Sequence, residues 1–139
     1  MPMRPLAFSA ALLLAGALLT GCGVPGLPCL PGQAPDARPG TTLVRIHNVS
    51  AFDLDSVVVG FSREPVLYGD VPAGGTTAYR DAGRAYRYAY IAATAQGRRL
   101  VLQPFDYVGE CPLGRGRFTY RLTVDVAAGT LDVRARRDR

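Results

Sequence analysis

Strict alternation of apolar and polar residues is the strongest pattern in this chain. Over residues 117–126 every second side chain is apolar, and the intervening ones are polar or charged. This two-residue period is typical of a β-strand with one buried side and one side in water. After the turn sequence Ala127-Ala128-Gly129 the alternation resumes through residues 131–136. The pattern predicts a C-terminal β-hairpin.

Shorter runs of β-branched and apolar residues predict further strands upstream. These predicted strands cover residues 43–48, 56–61, 76–80, 86–94 and 99–103. Tyr68 is expected on a short edge strand. Gln96-Gly97 predicts the turn of a second hairpin, and Pro104 ends its outgoing strand because proline cannot donate to a ladder.

The spacing of these elements predicts the fold class. About seven strands fit into residues 41–137, with turns every 8 to 12 residues and no convincing helical period. Such a chain is typical of an all-β, immunoglobulin-like antiparallel β-sandwich. We therefore expect one β-sandwich domain over residues 41–139, ending in a short basic tail, with a small β-barrel as the alternative.

The first 21 residues have a different pattern. Arg4 precedes an apolar run over residues 6–19, which has the length of a signal-peptide core and is too short to span a bilayer. The run ends in Leu19-Thr20-Gly21-Cys22, which resembles the lipobox of bacterial lipoproteins. The resemblance implies transfer of a diacylglycerol to the Cys22 thiol, cleavage before Cys22, and acylation of the new amine by a fatty acid such as palmitate. A cysteine that follows an ordinary secretory signal by chance is the alternative.

The same resemblance implies a location. Two or three acyl chains hold a protein stably on a membrane without spanning it. The expected location is therefore the cell envelope, with the mature chain anchored to a bacterial membrane. In a Gram-negative cell this would be the outer membrane, because Gly23 rather than aspartate follows Cys22.

Residues 22–40 form a linker that is rich in proline and glycine, a composition that excludes helix and central strand. Fully extended, it would reach on the order of 50 Å and would separate the folded domain from the lipid. With Cys22 acylated, Cys29 and Cys111 remain in an oxidising compartment, where they are expected to form a disulfide. Two free thiols are the alternative.

The charge is basic. The chain carries a net charge of +5, and all its basic residues are arginine, which a GC-rich genome also produces. The densest group, Arg134, Arg136, Arg137 and Arg139, is expected to be a solvated tail, or to attract anionic lipid headgroups at about 1 kcal/mol per residue. Nucleic acid is not an expected partner outside the cytoplasm.

Three alternate tyrosines form the first candidate binding surface. Tyr86, Tyr88 and Tyr90 would share one face of the predicted strand 86–94. Tyrosine combines a large apolar ring with a polar tip, which suits an interface. The alternative is that the rings pack against the sheet and hold their hydroxyls at its rim.

The segment between the two predicted hairpins is the second candidate. Residues 103–111 form a loop that carries Phe105, Asp106, Tyr107 and Glu110 beside Cys111. Loops on a rigid scaffold are common places for binding residues. The alternative is a long connection held by its disulfide and by packing of Phe105.

The sequence contains no recognisable catalytic or metal-binding constellation. Asp53 and Asp55 lack the further ligands of a calcium loop and are expected to be turn residues. His47 is the single histidine, and a zinc site would need the two cysteines that the disulfide uses. Asp106 and Glu110 as a glycosidase-like pair is a pattern that any two loop acids would meet. No metal and no cofactor is therefore expected.

These observations lead to a functional hypothesis. We expect a membrane-anchored, non-catalytic binding module whose partner is an envelope protein or a glycan. The body loosely resembles small, uncharacterised β-rich bacterial lipoproteins, and this resemblance implies no activity. The alternatives are a passive structural lipoprotein and an unrecognised hydrolase.

Overall fold

A computed structural model describes residues 41–105 and 112–139, and the described chain consists of β-strands and their connections. The eight strands are β1 (Thr42–Asn48), β2 (Leu54–Gly60), β3 (Pro65–Val71), β4 (Arg80–Gly83), β5 (Tyr90–Ala95), β6 (Arg98–Leu102), β7 (Gly116–Asp125) and β8 (Thr130–Arg137). No helix capable of crossing a membrane occurs within these described ranges.

The strands form two four-stranded sheets. Sheet A has the order β4-β1-β7-β8, and sheet B has the order β3-β2-β5-β6. The prediction of an all-β sandwich is confirmed, and the described strands do not form a single closed barrel. The structure has eight strands where about seven were expected. The expectation that the strands pair only antiparallel was wrong for sheet A, because β1 and β7 run parallel at its centre.

The core lies between the two sheets, where the alternating apolar positions meet. On β7 the inward residues Phe118, Tyr120, Leu122 and Val124 are all buried, as the period of two predicts. Tyr120 is the largest of the fully buried side chains. Its hydroxyl donates a hydrogen bond to the backbone carbonyl of Tyr86, which ties the segment before β5 to the core.

Both predicted hairpins are confirmed. β7 pairs with β8 from Phe118 to Asp125 without a register shift. β5 pairs with β6 across Gln96-Gly97, whose φ angles of 50° and 73° are those of a type I′ turn. Local turn chemistry therefore sets both pairings.

A fully buried asparagine joins two connections at one end of the sandwich. The side-chain Nδ2 of Asn48 lies 2.7 Å from the Phe52 carbonyl oxygen, 3.0 Å from that of Val71 and 3.2 Å from that of Pro72. The side-chain Oδ1 of Asn48 accepts hydrogen bonds from the backbone N–H and the hydroxyl of Ser50. This one side chain therefore holds the β1–β2 connection against the end of β3.

The prediction of a strand over residues 76–80 was wrong. Thr76 forms an isolated bridge with His47, and the regular strand β4 begins only at Arg80. The reason is Thr77, whose hydroxyl accepts a hydrogen bond from the Ile46 N–H while its own N–H donates to the Ile46 carbonyl. A side chain thus occupies one of the ladder positions that β4 would have taken.

The start of the predicted strand 86–94 was also wrong. β5 begins at Tyr90, so Tyr86 and Tyr88 precede it. The Ala85 carbonyl accepts a hydrogen bond from Leu113, and the Tyr86 carbonyl accepts one from Tyr120, so neither joins the ladder with β2. The three tyrosines therefore do not share one strand face.

Asp138 fixes the end of β8. Its Oδ2 accepts hydrogen bonds from the hydroxyls of Tyr79 (2.7 Å) and Thr119 (2.6 Å), and lies 3.5 Å from Arg45 Nε. Desolvation alone would raise the pKa of Asp138. The hydrogen bonds from Thr119 and Tyr79 outweigh it, with help from Arg45 and Arg136, and lower the pKa below its usual value.

Because the pKa of Asp138 is lowered, the stability of the fold depends on pH in the acidic range. The ionised Asp138 carboxylate stabilises the fold fully above the unfolded pKa of about 4. This stabilisation is lost as pH falls through the lower folded pKa. Asp138→Asn is expected to lower the free energy of unfolding by about 1 kcal/mol at neutral pH. In urea unfolding across a pH series, the difference from the parent chain should shrink below about pH 4. The exposed Asp132→Asn serves as control, and a difference that stays constant into acid would contradict the assignment.

Candidate binding surface

An apolar row crosses the outer side of sheet B. Leu67 pairs with Val58, Val58 pairs with Ala92, and Ala92 pairs with Val101. Residues directly opposite each other in antiparallel strands lie on the same side of the sheet. The next row along the strands pairs Gly60 with Tyr90. We call the outer side formed by Leu67, Val58, Ala92, Val101 and Tyr90 the apolar face.

Two of the exposed large hydrophobic residues of the described chain lie on this face, and two lie close in sequence to the ends of its strands. Leu67 is 57% exposed, and Val101 is 42% exposed. Phe105, three residues after β6, is 95% exposed, and Tyr88, two residues before β5, is 50% exposed. Apolar side chains gathered on one surface of a protein domain mark an interaction site more often than isolated ones do.

A small cavity lies between the end of β2 and the segment before β5. Its volume is about 170 Å³, and Phe61, Arg84, Tyr86 and Tyr88 are among the residues that line it. Small-molecule sites usually enclose about 300–1,000 Å³. The cavity is therefore of a size to receive a single side chain of a partner rather than a whole cofactor.

Polar residues border the apolar face on one side. Thr94 pairs with both Asp55 and Arg99, one row further along the sheet. Arg99 Nη2 lies 3.5 Å from the Tyr90 hydroxyl. An apolar centre beside a polar rim is the usual composition of a protein–protein interface.

The structure places the predicted site residues in different surroundings. Tyr90 lies on the apolar face, Tyr88 and Tyr86 line the cavity beside it, and Phe105 stands in solvent. The packing of Phe105 that the alternative for this loop required is absent, and the disulfide of that alternative lies outside the described residues. The other predicted residues lie outside the described residues; these are Asp106, Tyr107, Glu110 and the cysteines Cys22, Cys29 and Cys111.

Three of the described carboxylates bind backbone N–H groups at connections and at a bulge. Asp53 accepts a hydrogen bond from the Ala73 N–H, and Asp70 accepts one from the Ser56 N–H at a bulge in β2. Asp125 accepts one from the Ala128 N–H in the turn of the C-terminal hairpin. Within the described part of the chain, no three metal-ligating side chains gather into a group.

Sequence reasoning missed Leu67, Val58 and Val101. The signal for two of them was present in the runs Val57-Val58-Val59 and Leu100-Val101-Leu102. Three successive apolar residues in a strand place apolar side chains on both sides of the sheet, because successive residues alternate. The run Val66-Leu67-Tyr68 gave the same signal for Leu67, which lies on the outer side of the edge strand β3.

Comparison with known proteins adds little. No protein-family model matches the chain, and no curated protein matches it. The chain is similar to a solved structure described as the NMR structure of the protein from Eubacterium rectale, with 18% sequence identity and a TM-score of 0.46. The match covers 67% of this chain and 87% of that chain. A likeness of this extent carries no argument about function.

Proposed function

We propose that this chain is a membrane-anchored, non-catalytic binding module of a bacterial cell envelope, and that it engages a protein partner through the apolar face. The observation that carries the proposal is the row Leu67, Val58, Ala92 and Val101, which crosses all four strands of sheet B. Within this row Leu67 and Val101 are exposed, Val58 is partly buried and Ala92 is buried. Leaving the exposed side chains in water costs about 25 cal/mol per Å² of apolar surface, and a partner that covers them recovers that free energy.

The chemistry of the face favours a protein over a glycan. Aliphatic side chains cannot replace the hydrogen bonds that sugar hydroxyls lose on leaving water, and that loss is costly. Tyr88 beside the cavity and Tyr90 on the face are of the aromatic type that supplies much of the binding energy in protein interfaces. The cavity beside Tyr88 offers room for one anchoring side chain of the partner.

The anchor rests on the N-terminal sequence. Leu19-Thr20-Gly21-Cys22 resembles a lipobox, and the linker 22–40 supplies a spacer between the lipid and β1. Lipidation at Cys22 would place the domain at a membrane surface, within reach of other envelope proteins.

Crosslinking in the native cells tests the proposal. Leu67→Lys with Val101→Lys is expected to reduce capture of the partner at least about tenfold, because two charges would be buried in an apolar interface. Tyr88→Ala should also reduce capture, because Tyr88 lines the cavity that would receive an anchoring side chain of the partner. Both variants should keep the parent unfolding free energy within about 0.5 kcal/mol, since the positions are exposed.

Matched controls separate the face from general effects. Ala127→Lys with Thr130→Lys adds the same charge at the exposed C-terminal hairpin and should leave capture unchanged. Equal capture by all variants would refute the apolar face as the site, and the absence of any saturable partner would favour a passive structural role. In the same cells, Cys22→Ser should abolish labelling with a palmitate analogue. Persistent labelling would refute the anchor while leaving the capture result standing.

A further inference from the structure

Basic side chains gather on the outer side of sheet A, opposite the apolar face. Three adjacent strands supply them, and the first is β1, the strand into which the linker leads. We call this set the arginine face; its members are Arg45 and His47 from β1, Arg117 and Arg121 from β7, and Arg134 and Arg136 from β8.

Strand register aligns these side chains into rows. The parallel pairing of β1 and β7 places His47 beside Arg121, and the antiparallel pairing of β7 and β8 places Arg121 opposite Arg134. Neighbouring strands lie about 4.8 Å apart. One row of His47, Arg121 and Arg134 therefore crosses three strands, and the next row contains Arg45 and Arg136.

Carboxylates lie on the outer side of sheet A at both ends of the arginine face. Asp138 lies at the end near Arg45, and Asp125 and Asp132 lie at the other end. In the described part of the chain, the ion pair on this face is Arg45 with Asp138, at 3.5 Å. Arg45 and Arg117 also lie 4.8 Å and 5.5 Å from the Tyr79 ring centroid. Among the described residues, no carboxylate lies within ion-pair distance of Arg121 or Arg134. Like charges directly opposite each other in a sheet destabilise it, so a ligand that neutralises them would be favoured.

We propose that the arginine face binds the phosphate groups of anionic phospholipid headgroups. A guanidinium presents a planar fork of donors that matches two phosphate oxygens, which makes arginine suited to this contact. Several such groups on one open sheet side need several anions in one plane. A membrane surface presents that array, whereas a single soluble anion would engage only one or two of the groups.

The position of the linker supports a membrane as the occupant. This step rests on the proposed lipid anchor at Cys22. The linker enters the fold at Thr42, the first residue of β1 and three residues from Arg45. Sheet A resting on the membrane would direct the apolar face of sheet B away from the bilayer, toward a partner.

Vesicle binding without the lipid tests the proposal. The protein is residues 22–139 with Cys22→Ser, which retains all eight strands and the core between them. We expect it to sediment with vesicles that contain phosphatidylglycerol and not with pure phosphatidylcholine, and to be released by salt. Arg121→Gln with Arg134→Gln should weaken binding roughly fivefold for each arginine, or roughly 25-fold together.

Two further variants keep the result specific. Arg87→Gln with Arg99→Gln removes the same charge away from the arginine face and should change binding by less than about twofold, because distant charges are screened. Asp132→Asn, on the outer side of β8, should strengthen binding. Equal loss from both arginine pairs, or equal binding to neutral vesicles, would overturn the proposal.

The outcomes also separate this proposal from others. Binding of inorganic phosphate that depends on Arg121 and Arg134, without binding to vesicles, would replace the membrane with a soluble anion. Failure on vesicles would leave the palmitate labelling and the partner capture standing. Palmitate labelling that persists in Cys22→Ser, together with intact vesicle binding, would refute the anchor and retain the arginine face.

Discussion

Replacing Asn48 with alanine is expected to lower the free energy of unfolding by about 3 kcal/mol. The Asn48 side chain is fully buried and serves the carbonyls of Phe52, Val71 and Pro72. Its loss would leave these acceptors, and the Ser50 N–H, without their partner, at about 1–3 kcal/mol for each group that water does not reach. For a domain of this size, the melting temperature should fall by roughly 15 °C.

Thermal and urea unfolding measure this effect. Thr123→Ala, on the exposed side of β7, removes a polar group of similar size and should change stability by less than about 0.5 kcal/mol. Ser50→Ala removes only the hydroxyl that bonds to Asn48 and should fall between the two. A loss of less than about 1 kcal/mol in Asn48→Ala would show that solvent satisfies the freed carbonyls.

The local part of the fold could be predicted from the sequence. β7 and β8 alternate strictly over consecutive residues, and a short turn joins them. Gln96-Gly97 supplies the two positive φ angles that its hairpin requires. In both cases the information lies within a few residues of the pairing that it determines.

The non-local part could not be predicted in the same way. The parallel pairing of β1 with β7 joins residues that are more than seventy positions apart, such as Thr42 with Gly116. That pairing places Arg45 and His47 beside the arginines of β7. The single sequence shows these residues as scattered charges, and only the sheet order turns them into one face.

The error at Tyr86 and Tyr88 has a similar cause. Tyrosines at alternate positions fit a strand by periodicity, yet a strand also needs free ladder positions beside it. The carbonyls in this segment are taken by Leu113 and by the Tyr120 hydroxyl, both of which lie far along the chain. Tertiary hydrogen bonds therefore override the local pattern and bring Tyr86 and Tyr88 to the cavity wall.

Replacing Tyr120, whose hydroxyl binds the Tyr86 carbonyl, is expected to cause the largest loss of stability. Tyr120→Ala is expected to lower the free energy of unfolding by about 4 kcal/mol, because it empties a fully buried aromatic site in the centre of the core. Domains of this size have a total stability of about 5–15 kcal/mol, so the variant should be close to unfolding at physiological temperature.

Tyr120→Phe separates packing from the hydrogen bond. It keeps the ring and removes only the hydroxyl that donates to the Tyr86 carbonyl, so a global loss of about 1 kcal/mol is expected. Because that bond ties residues 84–89 to the core, their amide hydrogen exchange should quicken more than that of β7 and β8. Partner capture should then weaken, because Tyr88 lies in the loosened segment although the residue itself is unchanged. Uniform exchange across the domain would contradict this link and would leave Tyr120 a role in packing alone.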